Sequence, residues 1–95
     1  MSRHSIEQVA QEAETILSAS VPNVACIPQE WDGRIDCLIT LADGSVAGEM
    51  ISLSELTEER LRATGERLRM LSDGVEVALV GEIRPPSRIT PRDRG

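Results

Sequence analysis

Lysine is missing from this 95-residue chain; all ten basic residues are arginines. That excludes Schiff-base chemistry, a lysine general base and the lysine of a phosphate-binding loop. Phenylalanine and tyrosine are missing too, and Trp31 is the single aromatic residue. The core must therefore be built from Ile, Leu, Val, Met and Ala, and the stacking platforms of single-strand nucleic-acid binders are excluded. The one histidine, His4, stands far from Cys26 and Cys37 in sequence, so these three do not form a zinc ligand set. No Ser or Thr occupies a nucleophile-elbow pattern. No apolar run approaches the ~20 residues of a membrane span, and the N-terminus lacks the apolar stretch of a signal peptide. These absences lead us to expect a cytoplasmic protein with Cys26 and Cys37 as reduced thiols.

The residues that are present are those of a folded domain. Hydrophobic side chains make up 40% of the chain, too many for a disordered segment. A chain of this length forms one domain with one modest core. The net charge of −6 is unevenly spread. Residues 1–83 hold six Arg against fifteen acids, a net −9, whereas residues 84–95 hold Arg84, Arg88, Arg92 and Arg94 against Asp93 alone. We expect a single domain over 1–83 and a basic, Pro/Arg-rich, mobile tail over 84–95. An acidic body repels nucleic acid and anionic membrane.

Periodicity orders the chain. Ile6, Val9, Ala10, Ala13, Ile16 and Leu17 form one helical stripe over 5–19, with Ser5 and Gln8 at capping-box spacing. Asp32-Gly33 and Asp43-Gly44 then separate three apolar segments, 24–31, 34–42 and 45–52, which predicts two hairpins in series. A second helix is expected over 54–72, with Thr57 or Ser52 as its cap and Gly74 at its end. Its inner face would be Leu61, Gly65, Leu68 and Leu71, with Gly65 tolerated for a close approach. Arg60, Arg62, Glu66, Arg67 and Arg69 would face solvent. The run Val75–Ile83 reads as a fourth, central strand, parallel after a crossover. The expected class is α+β, in the order helix, three-stranded meander, helix, strand, with a mixed four-stranded sheet.

Two-residue turns would pair Asp36 with Gln29 and Ile51, and Leu38 with Ile27 and Glu49. Ile27, Gln29, Trp31, Asp36, Leu38, Thr40, Ala47, Glu49 and Ile51 would then share one face. Cys26, Ile35, Cys37, Ile39, Val46, Gly48 and Met50 would line the helix-covered one. The α-βββ-α-β order, with Asp36 early on the second strand and Glu49 on the third, resembles the PD-(D/E)XK nucleases. The segment from Ile35 to Ile51 is similar to their central hairpin. The resemblance implies that Asp36 and Glu49 hold Mg²⁺. It also places Ile51 where that family has lysine and Ile35 where it has proline, which implies an inactive relative.

The reading that follows is a non-catalytic, small acidic protein-interaction domain that needs no cofactor: an inhibitor, an immunity-type protein or an assembly factor. Its partner would be another protein, with a basic surface, and the chain would form a homodimer. Trp31, Gln29, Thr40, Arg84, Arg88 and Arg92 are the candidate contact residues, with Trp31 the anchor. Two alternatives are a Mg²⁺-dependent nuclease or nuclease subunit using Asp36 and Glu49, and a nucleic-acid-binding accessory acting through the arginine tail.

Overall fold

The computed structural model describes residues 5–84. Helix α1 spans Ile6–Ser18, and the Ser5 side chain caps it by accepting from the Gln8 N–H at 3.2 Å. Strands β1 (Ala25–Gln29), β2 (Arg34–Thr40) and β3 (Val46–Ser52) form the expected meander. A short 3-10 turn over Leu53–Glu55 precedes helix α2, Glu58–Ser72, which starts at Thr57 as its N-cap. Helix α2 ends in a Schellman motif. Val75 N–H donates to Met70 O and Gly74 N–H to Leu71 O, each at 2.9 Å, with Gly74 at a φ of +86°. The order of elements and the α+β class are as the sequence indicates.

Strand β4 differs from expectation. It covers only Glu82–Ile83, lies at the edge beside β3 and runs antiparallel to it, so the sheet β1-β2-β3-β4 is antiparallel throughout rather than mixed. The apolar run before it packs Val77 and Leu79 against the core without joining the ladder. Its backbone is diverted at two points. The Val80 N–H donates to a side chain of β3 (Glu49), and Gly81 turns at a φ of +59°. The chain thus reverses direction before it pairs.

The two turns decide which side chains face the helices. The β1–β2 connection holds four residues, a 3-10 turn over Glu30–Asp32 closed by Gly33 at φ +60°. This moves the pairing two positions from a two-residue turn, so each β1 side chain keeps its expected face; Cys26 pairs with Cys37 and Ile27 with Asp36. The β2–β3 loop holds three residues. Leu41 N–H donates to Ser45 O at 2.7 Å, Gly44 N–H donates to Leu41 O at 2.9 Å, and Gly44 has φ +88°. This is a type I turn followed by a left-handed glycine. The Asp43 carboxylate fixes it by accepting from the Ser45 N–H and hydroxyl at 2.9 and 2.6 Å. A three-residue loop shifts β3 by one position, and a one-position shift inverts every side chain of the strand. Cys37 therefore pairs with Glu49 and Asp36 with Met50.

The result is two layers. Ile35, Cys37 and Ile39 of β2 and Ala47 and Ile51 of β3 pack under Ala10, Ala13 and Leu17 of α1 and Leu61, Leu68 and Leu71 of α2. Complete burial of a Leu or Ile contributes about 1.5–3 kcal/mol, and these side chains supply most of the core. Gly65 is buried where α2 meets α1, and a Cβ there would lie 3.2 Å from Leu17 Cδ2. The close approach is to side chains of the α1 end. Helix α1 otherwise follows its stripe except at Ile16, which is 48% exposed.

Gly48 is fixed more tightly than any turn glycine. A Cβ there would sit 2.0 Å from the Cys37 carbonyl oxygen and 2.8 Å from Leu38 Cδ2. The first is backbone and has no freedom to rotate away. Gly48→Ala is expected to lose about 3 kcal/mol, the upper end of overpacking costs, whereas Gly65→Ala should stay within about 1 kcal/mol because Leu17 Cδ2 can move and alanine favours helix. Urea unfolding midpoints of the two variants check the contrast.

Candidate functional site

The two carboxylates that the nuclease resemblance pairs lie on opposite faces of the sheet. Asp36 stays on the face without helices. There it accepts from Arg34 Nε and Gln29 Nε2, each at 3.1 Å. Glu49, inverted with the rest of β3, points into the helix layer and has no exposed surface. The expected shared face for Asp36 and Glu49 is thus corrected by the three-residue loop, and Ala47 and Ile51 move inward with Glu49. Among the described residues, no group of three or more His, Cys, Asp or Glu is placed to hold a metal ion.

Glu49 is fully engaged within the fold. Arg67 Nε donates to Oε2 and Arg67 Nη2 to Oε1 at 3.0 Å, giving a bidentate pair. The Thr64 hydroxyl donates to Oε1 at 2.7 Å and the Val80 N–H to Oε2 at 3.1 Å. Arg60 Nη2 lies 3.7 Å from Oε1 and also donates to the Met50 carbonyl at 3.0 Å. Burial alone would push the Glu49 carboxyl up; Arg67, Thr64 and the Val80 N–H outweigh it and hold the carboxyl below its ordinary value. Arg67 is pushed up in turn by its bonds to Glu49. One carboxylate thereby ties β3 to α2 and to the segment that leads into β4.

Arg60 and Arg67 were expected on the solvent face of α2, and this is the second correction. Arg60, Thr64 and Arg67 recur at helical spacing beside Leu61, Leu68 and Leu71, so their long stems run along the inner stripe and their heads reach Glu49. Arg62, Glu66 and Arg69 do face outward.

The other face of the sheet is bare. Ala25, Ile27 and Gln29 of β1, Arg34, Asp36, Leu38 and Thr40 of β2, and Val46, Gly48, Met50 and Ser52 of β3 share it by register. Ile27 is 43% exposed, and Leu38, Val46 and Met50 are half-buried. Trp31 stands at one end of this face, in the 3-10 turn, with its whole surface exposed. Leu53, itself exposed, is held against the same turn by its N–H bond to Gly33 O at 2.9 Å. Gln29 and Thr40 share this face by register, while Trp31 lies beyond β1 in the turn, where strand alternation no longer sets its side. Arg84 is at the end of β4, paired with Glu82 at 2.8 Å. Arg88, Arg92 and the rest of the tail lie outside the described residues, as does His4.

The free edge of β1 is closed to strand addition. Cys26 N–H donates to Glu14 Oε1 of α1 at 3.0 Å, so the even residues of β1 point their N–H groups away from β2. The next outward position is Pro28, which has no N–H. One outward donor of the strand is taken and the other does not exist, a device that blocks edge pairing.

The face also differs from the remaining surface in charge. Its only charged side chains are Arg34 and Asp36, and Arg34 additionally bonds Asp32 at 2.7 Å. The helical side exposes Glu7, Glu12, Glu58, Glu59 and Glu66. Among the described residues, no helix is long and apolar enough to cross a membrane. No protein-family model matches the chain, and neither a curated protein nor a solved structure is significantly similar to it.

Glu49→Gln leaves Arg67 without its counter-charge and is expected to cost about 3 kcal/mol, in the range for breaking a buried pair. The same group sets an acid limit. Its folded-state value lies below the ordinary 4.5, so its contribution is complete above that value and is lost as pH falls through the folded one. Urea midpoints from pH 7 down to pH 3 should fall, and the fall should be smaller in Glu49→Gln. An equal fall in both proteins would assign the acid sensitivity to other carboxylates.

Proposed function

We propose that the chain is a non-catalytic protein-interaction domain whose contact surface is the bare face of the sheet, with Trp31 as its anchor. The observation that carries this reading is Trp31 itself. The only aromatic side chain of the protein contributes nothing to its core and is completely exposed in the turn that follows β1, at one end of the bare face. Tryptophan is enriched among binding hot spots, and one left wholly outside the core is free to serve as an anchor.

The occupant of this face is a second copy of the chain. A two-fold contact brings each surface against itself, so a charged surface repels its own copy. The body is strongly acidic, and the bare face is its exception: one Arg and one Asp, paired with each other, among twelve residues once Ile83 of β4, opposite Gly48, is included. Self-association through the β1 edge is disfavoured by Glu14 and Pro28. A basic partner, which the summed charge favours, meets the helical side instead, where the exposed glutamates remain free in such a dimer.

Sedimentation equilibrium of the intact chain is expected to give a dimer. Leu38→Glu places a charge at the centre of the contact, and Trp31→Ala removes the anchor. Each should weaken the dimer by about 30-fold or more, the effect of a ~2 kcal/mol hot spot, with circular dichroism unchanged because neither side chain belongs to the core. A native chain that stays monomeric at high micromolar concentration overturns self-association. A dimer unaffected by either substitution places the contact elsewhere.

A further inference from the structure

We propose that Cys26 and Cys37 form an oxidation site: a dithiol that closes reversibly to an intramolecular disulfide inside the native fold. This inference is independent of what covers the bare face. The two sulfurs are 3.6 Å apart, and both thiols are free. They sit directly opposite each other on adjacent antiparallel strands. The outward N–H of Cys26, held by Glu14, makes theirs a non-hydrogen-bonded pair. In such pairs the backbones approach to about 4.5 Å between Cα atoms and the side chains are closest. That separation is within the range that a disulfide spans. Closure then needs the sulfurs to move from 3.6 Å to a bond of about 2.05 Å, which side-chain rotation supplies without changing the register.

The two thiols are not equivalent. Cys37 is on the central strand β2 and is completely buried, while Cys26 is on edge strand β1 and keeps 8% of its surface. The neighbouring Cys26 thiol and burial both push the Cys37 thiol far up. Cys26 is therefore the sulfur that a small oxidant reaches, and Cys37 is the one that resolves it. With hydrogen peroxide as the oxidant, the Cys26 sulfur attacks one peroxide oxygen, the O–O bond breaks, and Cys26 becomes a sulfenic acid as water leaves. The Cys37 sulfur then attacks the Cys26 sulfur, the S–O bond breaks, and the hydroxyl leaves with the Cys37 proton as a second water. Two thiols lose two electrons in all and one peroxide gains them. Reduction by an external dithiol such as dithiothreitol runs by ordinary exchange and restores both thiols.

The remaining candidates carry less. The open groove of about 400 Å³ between α1 and α2, floored by Leu17, Leu61 and Gly65, shows nothing of what would fill it. The smaller hollow beside Asp43, Gly74 and Arg84 is likewise without a built polar site.

The test uses the intact chain, folded, in neutral buffer with millimolar hydrogen peroxide. After quenching, free thiols are alkylated in denaturant and the chain is digested without reductant. The expected product has lost two hydrogens at the cysteines and both thiols together. Because cleavage after Arg34 separates the two cysteines, their peptides appear as one cross-linked species, which dithiothreitol splits. The oxidised chain should keep its circular dichroism and melt at a higher temperature, since the bond constrains the unfolded chain. Cys37→Ala should instead accumulate a sulfenic acid at Cys26 that dimedone traps. The proposal is overturned if both thiols remain alkylatable after exposure, if Cys26 gains oxygens without a cross-link, or if the cross-linked chain loses its native spectrum.

Discussion

The arrangement of this protein depends on one buried carboxylate. Glu49 receives two bonds from Arg67, one from the Thr64 hydroxyl and one from the Val80 backbone, with Arg60 beside it. Three parts of the chain that are distant in sequence are joined at those two oxygens. A buried ion pair is weak evidence for net stability, because desolvation offsets much of the attraction. Its effect is on position. A glutamate without exposed surface tolerates few alternatives, and every alternative to this one leaves at least one charge without a partner. Helix α2 is thereby fixed in rotation as well as in place, and the chain after it is drawn into the helix layer before it reaches the sheet.

Most of the fold was legible in the sequence, and the misplaced side chains of β3 trace to a single residue. Helix stripes, caps and the two Asp-Gly turns located α1, α2 and the meander within a few positions. The position of Glu49 was not legible, because Asp43-Gly44 serves equally as the centre of a two-residue turn and as the last two residues of a three-residue one. In the second form Ala42 joins the loop and Ser45 binds Asp43. The first hairpin also gained residues, but it gained two, and an even shift changes no face. From one turn residue follow the burial of Glu49, its separation from Asp36, and the inward reach of Arg60 and Arg67. The signal for these arginines was present in the spacing Arg60, Thr64, Arg67 along the apolar stripe of α2. Charge alone had assigned them to solvent.

The fourth strand shows the limit of another inference. Val75–Val80 is apolar enough for a central strand, yet hydrophobicity reports only burial, and Val77 and Leu79 achieve it by packing on the core without pairing. Pairing needs free backbone donors, and the Val80 N–H is committed to Glu49. The same accounting governs the opposite edge of the sheet, where Glu14 takes the Cys26 donor and Pro28 removes the next. Backbone donors, more than side-chain hydrophobicity, determine where this sheet stops.

The composition of β3 explains why the register needs an external pin. Val46, Gly48 and Met50 alternate with Ala47, Glu49 and Ile51, so each face of the strand offers two apolar residues and one other. Hydrophobic pattern, the usual determinant of register, scarcely separates the two arrangements. The alternative would turn Glu49 out to water and set Gly48 over the core, where it has no side chain to fill the space. The observed register buries a charge instead, and three further contacts favour it. The Asp43–Ser45 bonds select the three-residue loop, the Cys37 carbonyl and Leu38 occupy the space above Gly48, and Arg67 waits on α2 for the carboxylate. Because the first two act within the hairpin and the third only when α2 docks, the ion pair cannot choose the register by itself. It adds to the preference once the helix is in place, and a strand of ambiguous pattern is left with a single bare face.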